Sequence, residues 1–267
     1  MMDYPEAIRF LCKNHNIECL ESEETNEEKT IAQHKEAMYI INKISLSYYI
    51  QNLNYFQEVL NYVYGQRQLT AEMVTKFNIG FAPSTISGLT TFLINSGYSW
   101  QIAVETSVLG YIRDTNKLFD RFRNRVMFPI KNISGNIIGF GGRSLAPDHK
   151  NAKYLNSSDS LIYNKSESLF GIFESKKAII EKNQCLLSEG YLDVDNDAPG
   201  IKAALKGIDI LLQEEMYVKV LILPTGQDPD DFAKARIKEQ IEQYIFDYSQ
   251  DFVLFKLNHL LHEANGN

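Results

Sequence analysis

The segment 184–223 limits the fold of this chain more than any other part of the sequence. Residues 184–188 form a short apolar run, residues 198–214 carry apolar side chains at helical spacing, and residues 218–223 form a second apolar run. Neighbouring antiparallel strands can be joined by a tight turn, whereas neighbouring parallel strands need a longer crossover, which is usually a helix. The pattern therefore predicts a βαβ unit, with parallel strands in the last third of the chain.

Helical spacing dominates the first hundred residues. Apolar residues recur every three or four positions in 4–14 and again in 31–48, which is the spacing of a buried helix face. The intervening run 18–29 is acidic and almost free of apolar residues, so we expect a linker there. Two further short helices are expected at 90–97 and 100–109.

The character of the sequence changes near residue 109. Residues 126–130 and 137–140 are apolar runs on either side of 132–136, which contains a Ser-Gly pair, and this arrangement is typical of a β-hairpin. Helical spacing returns over 237–261. The fold class predicted from these patterns is α+β.

The charge of the chain is unevenly distributed. The 267 residues carry a net charge of −7, which argues against a uniformly basic nucleic-acid-binding protein. However, residues 113–182 hold 13 Lys and Arg against 7 Asp and Glu, a net charge of +6. A basic segment between acidic ends is typical of a polyanion-binding face, and chance clustering on a solvated surface is the alternative.

Composition excludes several classes of protein. Three cysteines cannot form a disulfide framework, so we expect buried thiols and a reducing cytoplasm. Cys12 and Cys19 lack partners at zinc-ligand spacing, so no zinc is expected. No apolar run approaches the ~18 residues of a membrane span, and the N-terminus lacks a signal-peptide cleavage site. We therefore expect a cytoplasmic protein with no membrane partner.

Carboxylates follow the predicted strands of the last third. Side chains at the carboxyl ends of parallel strands converge. Carboxylates ~4 Å apart repel by about 4 kcal/mol at an effective dielectric near 20, so a converging cluster requires a cation, and open oxygen ligands suit Mg²⁺. The alternative is that they are turn and helix-cap residues. The residues are Glu189, Asp195, Asp197, Asp228 and Asp230.

The combination of motifs resembles one enzyme family. Glu-Gly-Tyr-Leu-Asp at 189–193, Asp-x-Asp at 195–197 and Gly-x-Asp-Pro-Asp at 226–230 are similar to the Toprim domain of bacterial DnaG-type primases. The resemblance extends from about residue 4 to residue 255. Blocks similar to the RNA-polymerase core of that family lie at 78–83, 120–130, 139–143 and 153–157.

The resemblance implies a function and a set of site residues. It implies synthesis of short RNA primers from NTPs on single-stranded DNA during replication, by nucleotidyl transfer that depends on Mg²⁺ or Mn²⁺. The five carboxylates would bind the metal, and Glu189, Asp195 and Asp197 would be catalytic. Template and nucleotide would be bound by Arg67, Arg121, Arg123, Arg143, Lys153, Asn156 and Lys165.

The resemblance also implies a domain order. An N-terminal helix and acidic linker (1–29) precede a mixed α/β basic subdomain (30–177). A shortened Toprim-like α/β subdomain with parallel strands (178–235) and a C-terminal helical segment (236–267) follow. The zinc-binding domain and the helicase-binding region of the family are expected to be absent, and with them direct binding of the replicative helicase.

One departure from the family concerns the Toprim motifs. Val194 is followed directly by Asp195, whereas in the family the two motifs end different strands, so either the Toprim core is shortened or a stretch is omitted. Two alternative functions therefore stay open. One is a non-catalytic single-stranded DNA-binding remnant of a primase, and the other is a nuclease or topoisomerase-type Toprim fragment.

The chemistry of the basic residues fits phosphate binding without the resemblance. Arg143 follows Gly141 and Gly142, whose missing side chains would let a phosphate approach the backbone. Arginine binds phosphate through two parallel hydrogen bonds, while lysine acts as a point charge. For the run 121–125 the alternative is an exposed strand edge protected by charge.

Overall fold

A computed structural model describes residues 25–145, 152–182 and 229–265, together with Cys12 and two short stretches at 219–221 and 223–224. The chain divides into two compact units, Met1–Gln184 and Cys185–Asn267, which are described separately. Cys12 is helical and disulfide-bonded, so the expectation of a free buried thiol is wrong there. The rest of the helix predicted at 4–14 lies outside the described residues.

Helix α1 (Asn26–Leu53) confirms the long helix predicted from apolar spacing and begins earlier than expected. Thr25 accepts a hydrogen bond from the backbone N–H of Glu28 (3.2 Å), and the Glu28 carboxylate accepts one from the N–H of Thr25 (2.8 Å). This capping box satisfies two free N–H groups of the first turn. The linker prediction is therefore wrong for 26–29.

Short helices complete the helical part of the first unit. Helix α2 (Gln57–Leu60) runs into a π-helical turn (Asn61–Gln66), and helix α3 is Ala71–Lys76. The two predicted short helices are present as α4 (Gly88–Asn95) and α5 (Trp100–Glu105). The second ends earlier than predicted, because a strand already begins at Leu109.

The first unit contains a two-stranded ribbon and a four-stranded antiparallel sheet. The ribbon pairs β2 (Leu109–Ile112) with β3 (Lys117–Asp120). The sheet has the order β1-β4-β5-β6, and the β4–β5 pairing confirms the predicted hairpin. Its strands are β1 (Gly80–Ala82), β4 (Arg125–Lys131), β5 (Ile137–Ser144) and β6 (Tyr154–Asn156).

Helix α1 packs across this sheet and forms the core of the first unit. At Gly80 a Cβ atom would lie 2.7 Å from the Cβ of Tyr49, so only glycine allows this approach of helix and strand. The Tyr49 ring meets the Phe140 ring edge-on with centroids 5.4 Å apart. Burial of one such aromatic side chain stabilises the fold by about 1.5–3 kcal/mol. Helix α6 (Ile172–Lys182) ends the described part of this unit.

The described residues of the second unit form helices and one short antiparallel pair. Strand β7 (Lys219–Val220) lies within the apolar run predicted at 218–223 and pairs with β8 (Gln250–Asp251). The single helix predicted over 237–261 is wrong, because Ser249 is extended and β8 interrupts the helical spacing. The helices are α7 (Pro229–Lys234), α8 (Lys238–Tyr248) and α9 (Phe252–Asn265).

Two predictions for this part of the chain lie outside the described residues. They are the strand at 184–188 and the helix at 198–214, and the parallel pairing depends on both. Across the described stretches, every helix is too short or too polar to span a bilayer.

Candidate nucleic-acid interface

All seven residues that the sequence assigns to template and nucleotide lie in the described part of the first unit. They come from the end of the π-helical turn, the loop between β3 and β4, strand β5, the residue before β6, strand β6 itself and the turn that follows it. We name the six cations among them the basic face. They are Arg67, Arg121, Arg123, Arg143, Lys153 and Lys165.

Two of these arginines meet at one aromatic ring. The guanidinium carbons of Arg67 and Arg143 lie 5.6 and 5.7 Å from the centroid of the Tyr62 ring. The Nε atom of Arg67 also donates a hydrogen bond to the Tyr62 hydroxyl (2.9 Å). A cation at this distance from a ring is attracted by the negative charge on the ring face. The structure thus joins Arg67 and Arg143, which are 76 positions apart in the sequence.

A second tyrosine continues this group along the sheet. The pairing of β5 with β6 places Tyr154 opposite Arg143, which donates a hydrogen bond to the Tyr154 hydroxyl (3.3 Å). The exposed ammonium of Lys153 lies 6.0 Å from the Tyr154 ring centroid. Asn156 lies opposite Gly141 in the same pairing. Arg67, Arg143, Lys153 and the two tyrosines therefore form a continuous alternation of cations and rings.

Arg121 and Arg123 differ in their surroundings. Nη2 of Arg121 donates to Oγ of Ser158 (3.0 Å), and the backbone N–H of Ser158 donates to Oγ of Ser107 (3.2 Å). Nε of Arg121 is buried and has no partner within the described ranges. Arg123 is exposed, with its guanidinium carbon 6.0 Å from the Phe119 ring centroid.

Lys165 lies on the turn Lys165–Glu167, beyond β6. Its side chain is exposed, and its backbone N–H donates to the carboxylate of Asp159 (2.9 Å). This bond closes the loop that also carries Ser158, the partner of Arg121. No described contact brings the Lys165 ammonium to Tyr62 or Tyr154.

Arg125 has a structural role that the sequence did not reveal. It is only 7% exposed and donates to the carbonyl oxygens of Gly142 (3.0 Å), Ala152 (2.9 Å) and Lys153 (3.4 Å). Burial lowers the pKa of Arg125. Strand β4 is buried along its length and paired on both sides, so the alternative of an exposed strand edge is wrong for Arg125.

The glycine at 142 is explained by the same packing. A Cβ atom there would lie 2.9 Å from the Phe122 ring and 3.0 Å from Cδ of Arg125. Gly142 therefore makes room for side chains of this protein, and the prediction that its missing side chain admits a phosphate is wrong.

Asp120 fixes the beginning of the arginine-containing loop, and sequence reasoning gave it no role. This carboxylate is 3% exposed and accepts hydrogen bonds from the N–H of Leu89 (2.8 Å), the N–H of Thr90 (2.9 Å) and the Thr90 hydroxyl (2.7 Å). Burial raises the pKa of Asp120, and the hydrogen bonds oppose that shift. Helix α4 receives no capping bond from Ser87, although serine is a preferred N-cap residue, so the local sequence gives no signal that a distant carboxylate caps this helix.

The predicted metal ligands all belong to the second unit. Glu189, Asp195, Asp197 and Asp228 lie outside the described residues, as does the Val194–Asp195 junction, and only the backbone of Asp230 is described, in α7. Among the described residues, no group of three or more His, Cys, Asp or Glu side chains is placed to bind a metal ion. The convergence of the five carboxylates stays a prediction.

Comparison with known proteins identifies the family. Residues 48–176 match the DNA primase catalytic core, N-terminal domain, and residues 165–233 match a Toprim-like domain. The chain belongs to the DnaG-type primase family. The DNA primase of Staphylococcus epidermidis is 29% identical over 308 positions, which cover 100% of this chain and 51% of that protein. The chain thus spans about half the length of this relative.

Solved structures of primase domains share the fold. A DNA primase domain from Pseudomonas aeruginosa has a TM-score of 0.75 at 27% identity, covering 85% of this chain and 83% of that one. A DnaG primase catalytic domain bound to ssDNA has a TM-score of 0.75 at 26% identity, covering 87% of each chain. These matches confirm the predicted fold class and the resemblance to the DnaG catalytic core.

Proposed function

We propose that this chain is the catalytic core of a DNA primase that synthesises short RNA primers on single-stranded DNA. The observation that supports this most is the group of three cations around Tyr62 and Tyr154. It is formed by residues from three separate segments, each of which the family motifs had assigned to template or nucleotide. The DnaG domain that shares this fold was solved bound to ssDNA, which supports the same ligand class here.

The basic face would bind the phosphates of the template and of the incoming NTP. Arg67 and Arg143 are suited to phosphate because a guanidinium donates two parallel hydrogen bonds to two oxygens. Lys153 and Lys165 are exposed and would act as point charges. Arg121 is held by Ser158 and would contribute the charge of its guanidinium group.

The catalytic part of the proposal concerns the carboxylates of the Toprim-like segment. Glu189, Asp195, Asp197, Asp228 and Asp230 would bind Mg²⁺ or Mn²⁺, and Glu189 would be the general base. A divalent cation held there would neutralise the triphosphate and lower the pKa of the attacking 3′-hydroxyl. The basic face would orient the template and the triphosphate for that reaction.

One observation favours a second candidate, a non-catalytic single-stranded DNA-binding remnant. The alignment with the Staphylococcus epidermidis primase extends over 308 positions, whereas this chain has 267 residues, so about 40 positions have no counterpart here. The sequence motifs predict that the shortfall lies between Val194 and Asp195. Parallel strands require a crossover of a dozen or more residues, so a shortfall there would separate Glu189 from its expected strand end.

A primer-synthesis assay separates the two candidates. The chain is incubated with single-stranded template, four NTPs and either Mg²⁺ or Mn²⁺, and RNA products are resolved on a gel. We expect products with the wild-type chain, none with Asp228→Ala, and normal synthesis with Lys177→Ala, an exposed lysine of α6. Template binding without synthesis in either metal would establish the remnant, and absence of both would contradict both candidates.

A further inference from the structure

The π-helical turn Asn61–Gln66 aligns two side chains that an α-helix would separate. The backbone N–H of Arg67 donates to the carbonyl of Tyr62 (2.9 Å), which is a bond between residues five apart. In an α-helix such residues point about 140° apart, whereas the wider π turn places them roughly one turn above each other. Nε of Arg67 can therefore reach the hydroxyl of Tyr62. Single π turns occur frequently at functional sites.

The same ring receives a second cation from a distant part of the fold. Arg143 is on β5, and its position is fixed by the pairing of β5 with β4 and β6. Its guanidinium carbon lies 5.7 Å from both the Tyr62 and the Tyr154 ring centroids. Both guanidinium carbons therefore lie within 6 Å of the same ring centroid, and the negative charge on the ring face attracts each of them.

We propose that Tyr62 is the positioning residue that holds Arg67 and Arg143 together as one phosphate-binding pair. The proposal rests on the proposed function for its ligand class, which is the phosphate of nucleic acid or of a nucleoside triphosphate. Its content goes further, because neither the sequence motifs nor the family match assigned a role to Tyr62. Side chains fixed before binding lose less freedom when the ligand arrives, so they bind it more tightly.

The test measures binding of two fluorescent probes by anisotropy, a single-stranded DNA oligonucleotide and a labelled NTP. We expect Tyr62→Leu to weaken binding about tenfold, because two cation–π contacts and a hydrogen bond are lost. Tyr62→Phe retains the ring and loses only the bond to Arg67, so it should restore most of the affinity. The two probes distinguish the sources of phosphate, since loss with one probe alone assigns the pair to template or to nucleotide.

A matched control variant and a double variant without the two arginines show whether Tyr62 positions the arginines or stacks directly on a base. Tyr64→Leu changes an exposed tyrosine on the same turn and should leave binding unchanged. In an Arg67→Ala/Arg143→Ala background, Tyr62→Leu should have no further effect. A further tenfold loss there would show that Tyr62 stacks on a base itself, and would overturn the proposal.

Some results would contradict the role of Tyr62 and leave the proposed function intact, and others would contradict the catalytic function and leave the role of Tyr62 intact. Wild-type affinity of Tyr62→Leu, while Arg143→Ala binds weakly, contradicts positioning even if primers are made. Failure of the wild type to bind either probe also contradicts it. Binding that follows the expected pattern, with no primer synthesis, supports the role of Tyr62 and removes only the catalytic function. Thermal unfolding of each variant verifies that it is folded.

Discussion

Strand β4 and the basic face are both rich in positive charge, and they use it in opposite ways. The cations at the two ends of β4, Arg125 and Lys131, are 7% and 8% exposed and are saturated with protein partners. Lys131 donates to Asn78 Oδ1 (2.7 Å) and to the Glu174 carboxylate (2.8 Å). On the basic face, Arg123, Lys153 and Lys165 are exposed. Residue type therefore does not separate structural from ligand-binding cations here; burial and partners do.

The sharpest test of this comparison replaces two arginines of one motif, each in a separate variant. Arg125→Met should lower the free energy of unfolding by about 3 kcal/mol or more, because it leaves buried carbonyl oxygens of Gly142 and Ala152 without donors. Arg123→Met should change it by less than about 0.5 kcal/mol, since its side chain is exposed. Urea denaturation of the two variants measures both. Equal losses would mean that burial does not separate the two roles.

Alkaline unfolding tests a second buried group beside the same sheet. Burial raises the pKa of Tyr163 to about 12, with the nearby charge of Asp159 contributing. The folded-state pKa is higher than the unfolded one, so this stability is present below pH ~10 and is lost as the pH rises towards 12. Between pH ~10 and 12 the wild type should lose up to ~2–3 kcal/mol of stability through this group, at ~1.4 kcal/mol per pKa unit, and Tyr163→Phe should not show that part of the loss. Tyr64→Phe is the exposed control, and an unchanged alkaline slope in Tyr163→Phe would contradict the assignment.

Asp120 is a buried acidic group, and its replacement should have a smaller effect on the free energy of unfolding. At neutral pH, Asp120→Asn should cost about 1 kcal/mol, because it weakens the bonds to the first N–H groups of α4. The raised pKa of Asp120 means that the folded state takes up a proton before the unfolded state does as the pH falls. The stability advantage of the wild type over Asp120→Asn should therefore grow as the pH falls through the pKa of the folded carboxyl towards the unfolded value of about 3.9. Melting temperatures of both proteins across that range would show it, and a constant difference would refute it.

Substitutions on the basic face should have the smallest effect on stability, but they should clearly change DNA binding. Arg121→Ala with Arg123→Ala should reduce the salt dependence of single-stranded DNA binding by up to ~1.4 in the slope of log K against log salt, about 0.7 for each lost phosphate contact. Fluorescence anisotropy between low and high salt measures the slope. Lys177→Ala serves as the control, and a slope equal to that of the wild type would remove these two arginines from the interface.

Apolar patterning predicted the elements whose signal is local. The β4–β5 hairpin and the helix over 31–48 follow from runs and spacings that can be read within one segment. The beginning of α1 could also have been read, because Thr25 and Glu28 have the spacing of a capping box. The break before β8 could not, since helical spacing continues through 249–251.

The site was predicted less completely, for a different reason. The structure brings Arg67, Arg143 and Lys153 of the predicted set together at two tyrosine rings, and the motifs could not show that Arg125 is buried. One of the two strands beside β4, β1, comes from a part of the chain that the local sequence does not indicate. Tyr62 was missed because no periodic pattern looks for partners five residues apart. The carboxylates after 184 stay predictions.

The π-helical turn makes the number of residues between positions 62 and 67 more important than their identity. Inserting one residue into this stretch would place Arg67 six positions after Tyr62, where α-helical winding points the two side chains about 120° apart, whereas removing one residue would leave them four positions apart, on the same face of an α-helix. Most single substitutions at 63–66 would leave that register intact, and Gly65 has free space for a Cβ atom. Related chains should therefore tolerate varied residues within this turn, while an insertion there would move Arg67 away from Tyr62 and so from Arg143.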